Sequence, residues 1–95
     1  MKVNGVTFYW GTDFLPRGKE FEPVAMVQET HTNSISASAV RSRLESLNED
    51  LANAAKSMNC NVVILQDRHD SRPGDSSYFN ITLTGHAGTL MDKDV

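Results

Sequence analysis

The 95-residue chain has one cysteine, three prolines and no long apolar run. Each scarcity closes a class of protein. A single thiol, Cys60, has no partner for a disulfide within the chain. No stretch approaches the roughly 20 apolar residues that span a bilayer, so no membrane partner is expected. The opening Met1–Trp10 carries one lysine and short apolar runs broken by Asn4, Gly5 and Thr7. That does not read as a secretory signal, and the expected location is the cytoplasm. Asn80-Ile81-Thr82 matches the glycosylation sequon and is read as chance inside a strand. Nine Lys and Arg stand against twelve Asp and Glu, giving net charge -3 and a pI of about 5.5. The basic residues are scattered, so there is no stripe for a phosphate backbone and no nucleic-acid partner is expected. Hydrophobic content is 39%, modest for a single domain over 1–95 with its core in 22–90. A chain of this size hides only roughly two-thirds of its unfolded surface, so burial in an oligomer would help it.

What is present is a pattern of two periods. Val40, Leu44, Leu47, Leu51, Ala54 and Met58 form one helical stripe. Ser36 is the candidate N-cap, with Ile35 and Val40 in the hydrophobic-staple positions. Lys56 in the last turn complements the helix dipole, and Asn59 stands where a left-handed residue ends the helix. Val62-Val63-Ile64-Leu65 then reads as a strand buried on both faces, within 61–67. Phe79, Ile81 and Leu83 alternate with Asn80, Thr82 and Thr84, a strand over 78–90 with one apolar face. Gly85 and Gly88 predict bends or a bulge in it.

Upstream, Val6–Trp10 predicts a first strand, and 11–22 a loop containing Gly11, Pro16 and Gly18. Pro23 is expected to open a strand at 24–31, broken by Thr32-Asn33-Ser34. The segment 68–77, with Pro73-Gly74, predicts a long hairpin loop, and 91–95 a frayed end. The fold class is α+β: a two-layer βαββ core with an extra N-terminal strand, one helix packed on a mixed sheet. The connection from strand to helix to strand fits a parallel crossover. One helix covers one face of such a sheet, while the apolar run offers side chains to both. That mismatch predicts a homo-oligomer, by sheet faces or by edges.

The stretch 22–90 resembles the YbjQ-like family of small bacterial proteins, described as heavy-metal-binding. The matching elements are Pro23-Val24-Ala25-Met26-Val27, the small-residue helix end Leu51-Ala52-Asn53-Ala54-Ala55, and Met58-Asn59-Cys60-Asn61-Val62-Val63. Ile81-Thr82-Leu83-Thr84-Gly85-His86-Ala87 resembles the family's last strand. His31-Thr32-Asn33-Ser34 stands where the family has a glycine-rich segment, and Asn59 where it has a glycine. The resemblance implies a βαββ fold and ring-like oligomers.

No motif points to catalysis, and the chain reads as a non-enzymatic assembly or sensing module without a cofactor. The alternative is a divalent-metal-binding protein using the loop after the third strand. There Asp67, His69 and Asp70 are the candidate ligands, with Asp75 nearby and Arg68 and Arg72 opposing them. Cys60 reads as packing at a helix–strand junction, and His31 and His86 as exposed strand histidines. Phe8-Tyr9-Trp10 lacks the basic companions of a base-stacking platform and reads as core or interface. The serines 34, 36, 38 and 42 lack a phosphate-binding glycine loop and read as capping.

Overall fold

Asn4 and Gly5 interrupt the first apolar stretch for a reason: they form a turn. Both have positive φ, 50° and 84°, as a type I′ hairpin turn requires. The computed structural model, which describes residues 1–34, 37–72 and 78–93, pairs β1 (Lys2–Val3) antiparallel with β2 (Val6–Trp10) across this turn.

The next strand is longer than the sequence implies. β3 runs Lys19–Ser34, through Pro23 and through Thr32-Asn33-Ser34, so the loop before it ends at Gly18. Its partner β5 runs Tyr78–Asp92, and fifteen residue pairs join them, from Lys19↔Asp92 to Ser34↔Tyr78. Thr32-Asn33-Ser34, expected to break β3, remains in strand, paired with Asn80, Phe79 and Tyr78 of β5, and side-chain bonds cross the same ladder. Thr30 Oγ1 lies 2.8 Å from Thr82 Oγ1, and Thr32 Oγ1 donates to Asn80 Oδ1 at 2.8 Å. Met91 and Asp92, expected to fray, pair with Glu20 and Lys19.

The helix α1 spans Ala37–Ser57, and Ile35 and Ser36, expected as staple and N-cap, lie outside the described residues. Its C-terminus closes as the sequence predicts. Asn59 takes φ 59°. The Cys60 N–H donates to Ala55 O at 2.9 Å and the Asn59 N–H to Lys56 O at 3.0 Å, the paired bonds of a Schellman cap. β4 follows at Val62–Ser71 and ends four residues later than expected, so Arg68–Ser71 is strand. The rest of the expected hairpin loop, with Pro73, Gly74 and Asp75, lies outside the described residues.

The sheet order is β1-β2-β4-β5-β3. β4 and β3 each pair antiparallel with β5, so they run parallel with β5 between them, and α1 makes the crossover. β2 pairs parallel with β4 on its other side. The helix stripe meets Val6 and Phe8 of β2, Val63 and Leu65 of β4, Ile81, Leu83 and Ala87 of β5, and Val27 of β3. Leu47 and Leu51 are wholly buried there, and Val40, Leu44, Ala54 and Met58 flank them. This is the expected α+β arrangement of one helix on a mixed sheet.

On the opposite face, Val62 and Ile64 are only 3% and 1% exposed, flanked by Thr7 and Tyr9 of β2 and by Gly88 and His86 of β5. Apolar side chains on both faces of β4 are therefore already out of water within one chain. Exposed apolar surface lies elsewhere, including Val24 and Met26 of β3.

Two irregularities bend the sheet, one in β4 between Leu65 and Asp67 and one in β3 between Pro23 and Ala25. Each lies against a glycine of β5. A Cβ on Gly85 would sit 2.3 Å from Ile64 O, and one on Gly88 would sit 2.1 Å from Glu22 O. Only glycine lets these backbones approach so closely.

Candidate functional site

β4 carries the residues expected as ligands, but as strand rather than loop. Asp67 pairs with Thr84 and His69 with Thr82, while Asp70 pairs with Ile81, whose side chain is buried under the helix. Alternation therefore puts Asp67 and His69 on the face away from α1 and Asp70 on the helix face. Asp70 is held by Arg68, whose Nε and Nη2 donate to its two carboxylate oxygens at 3.0 Å each. Such a planar fork satisfies both partners. The three candidate ligands are not brought together.

A different set is. Glu29 and His31 are two apart on β3 and share the helix face with Val27. Asp50, two turns before the end of α1, comes down beside them. His31 Nε2 lies 2.6 Å from Asp50 Oδ2, and one donor atom from each of the three residues lies within 4.8 Å of the others. Glu29 and His31 are half-buried and Asp50 is exposed. The Glu29 carboxylate has no hydrogen-bond or ion-pair partner among the described residues. His31 was expected to be an exposed strand histidine and Glu29 was not singled out; the signal available was Glu-x-His in an alternating strand. Asp50 carried no such signal, because only the crossover brings it there.

The other singled-out residues have structural placements. Cys60 is buried at the helix–strand junction, its Sγ 3.6 Å from Met58 O. Phe8 is in the core and Tyr9 flanks Ile64 on the far face. Trp10 is 52% exposed at a cavity of about 240 Å³ lined by Leu44, Asn48, Leu65, Arg68 and Leu83. Asn48 Oδ1 in that wall is buried with no hydrogen-bond partner among the described residues. The cavity is large enough for water to meet it. At the far end of the β3–β5 ribbon, Lys19 Nζ donates to Asp92 Oδ1. That hydrogen bond, and then the lysine charge, hold the exposed Asp92 carboxyl below its ordinary value. No helix among the described residues is long and apolar enough to cross a membrane.

Compared with known proteins, the chain matches no family model, no curated protein and no solved structure.

Proposed function

We propose that the chain is a non-enzymatic α+β module that self-associates through the outer edge of β3. The observation that carries this reading is the sheet order: the 16-residue β3 is the terminal strand, with β5 on one side only. An edge strand presents a row of unpaired backbone donors and acceptors that another chain can extend. Natural edges are usually blunted by charge, proline or a bulge. Pro23 and the irregularity before Ala25 do this for the first third of β3. Beyond them, the exposed residues Met26, Gln28, Thr30 and Thr32 carry no charge. Val24 and Met26 are 57% and 66% exposed, apolar surface that pairing would cover. The two-faced burial of β4 favours edges over faces as the contact. The same reading places the assembly in the cytoplasm, where a lone buried thiol such as Cys60 stays reduced.

Light scattering on the eluting peak of a gel filtration run, at tens of micromolar protein, tests it. The expected mass is a multiple of 10.5 kDa. The double variant Val24→Lys/Met26→Lys, at two exposed positions, should keep its far-UV spectrum and shift to the monomer mass. A parent protein that elutes at 10.5 kDa overturns the reading.

A further inference from the structure

The cluster of Glu29, His31 and Asp50 has a property that an ordinary strand–helix contact lacks. One imidazole nitrogen and two carboxylates converge from two different elements, and no lysine or arginine among the described residues pairs with either carboxylate. Two like charges drawn together repel each other. His31 answers Asp50 at 2.6 Å, and the Glu29 carboxylate is left without a partner among the described residues. A cation placed between the three would satisfy all of them.

We propose that Glu29, His31 and Asp50 bind one divalent first-row transition ion, of the zinc or manganese kind, through one nitrogen and two carboxylate oxygens. The donor set is mixed: imidazole suits zinc and its neighbours, and carboxylates suit the harder ions. Metal–ligand bonds of roughly 2.0–2.2 Å place neighbouring donors roughly 3–3.5 Å apart. The donors lie within 4.8 Å of one another, so binding an ion draws them closer together. Two ligands sit on a strand bonded along its length to β5 and the third on a 21-residue helix, so little ordering is needed on binding. Three ligands leave one or more coordination positions to water. The ion would clamp α1 onto the edge strand. This site is separate from the Asp67 and His69 face of β4, and it does not depend on self-association.

The test uses the full chain stripped by chelator, titrated calorimetrically with Zn²⁺ and Mn²⁺ and spectroscopically with Co²⁺. The expected result is saturation at one ion per chain, with visible Co²⁺ bands of a protein-bound ion. Glu29→Gln is the decisive variant, because it keeps shape and removes a carboxylate with no partner among the described residues. It should abolish saturable binding while the melting temperature without metal stays unchanged. His31→Ala should abolish binding as well, and His69→Ala should leave it intact. Absence of saturable binding to the parent overturns the proposal. So does binding that survives Glu29→Gln, or binding lost on His69→Ala, which would place the ion on β4 instead.

Discussion

Placing a methyl group on Gly85 tests the geometry at the centre of the sheet. The new Cβ would stand 2.3 Å from the carbonyl oxygen of Ile64 and 3.0 Å from the Cα of Leu65. Both obstacles are backbone atoms of β4, so no rotamer change relieves them. β4 and β5 must separate at the bulge, where Leu65 pairs with Gly85 and Asp67 with Thr84. Overpacking a filled interior costs about 1–3 kcal/mol. Each ladder hydrogen bond lost adds about 0.5–1.5 kcal/mol. The reduced freedom of the unfolded chain returns about 0.4–1 kcal/mol. The net loss for Gly85→Ala is about 2–3 kcal/mol. Stability of roughly 0.05–0.15 kcal/mol per residue makes that a large share of the total. At about 4–8 °C per kcal/mol, the melting temperature should fall by roughly 10–25 °C. Thermal and urea unfolding followed by far-UV circular dichroism measure this. Thr84→Ala, beside it on the other face, should stay within about 1 kcal/mol of the parent. A Gly85→Ala protein melting within about 3 °C of the parent would refute the close approach of the two strands and the bulge that causes it.

Leu47→Ala, at a wholly buried position mid-stripe, should cost about 2–5 kcal/mol in the same unfolding experiments. Asn59→Gly should be neutral or mildly stabilising at φ 59°, while Asn59→Val should cost about 1–2 kcal/mol more, and equal tolerance of the two would remove the cap. Asp92 should titrate by NMR below ordinary aspartates, and Lys19→Gln should return it to their range. Because its folded pKa is depressed, the small stabilisation from this pair is present above the unfolded pKa and lost as pH falls through the folded one, so the Lys19→Gln difference should vanish in acid.

The helix was legible because its stripe has the helical period and its C-terminus carries an asparagine that tolerates positive φ. The aliphatic run of β4 was legible for the same kind of reason, since Val62 to Leu65 are all buried. Strand ends were not legible where both faces meet water. Strand periodicity is read from one apolar face, and Thr30, Thr32 and Asn80 find polar partners across the ladder instead. The same limit hid Arg68–Ser71 as strand. It also separates Asp70 from Asp67 and His69: residues adjacent in sequence share a site on a loop, whereas a strand sends neighbours to opposite faces. Asn4-Gly5 was a signal present in the sequence and read as an interruption, because the strand before it is only two residues long.

β3 is not uniform along its length, and this sharpens the assembly reading. The molecule is 55 Å long, while the 21 residues of α1 extend roughly 31 Å at 1.5 Å per residue. β4 begins opposite Gly88, so Lys19–Glu22 and Thr89–Asp92 extend past it as a ribbon two strands wide. Such a ribbon is marginal by itself. It is held by the Lys19–Asp92 pair and by the Lys93 N–H donating to Gly18 O at 3.0 Å. Pro23 and the bulge then interrupt the edge where the wider sheet begins. An added strand that needs regular backbone pairing should therefore engage β3 after the bulge, from Ala25 onward. A lysine at the exposed Gln28 should break the assembly, and a lysine at the exposed Glu22, before the bulge, should leave it intact. Equal disruption by Gln28→Lys and Glu22→Lys, read as mass by light scattering, would show that the edge is not divided at Pro23 and that copies meet through some other surface.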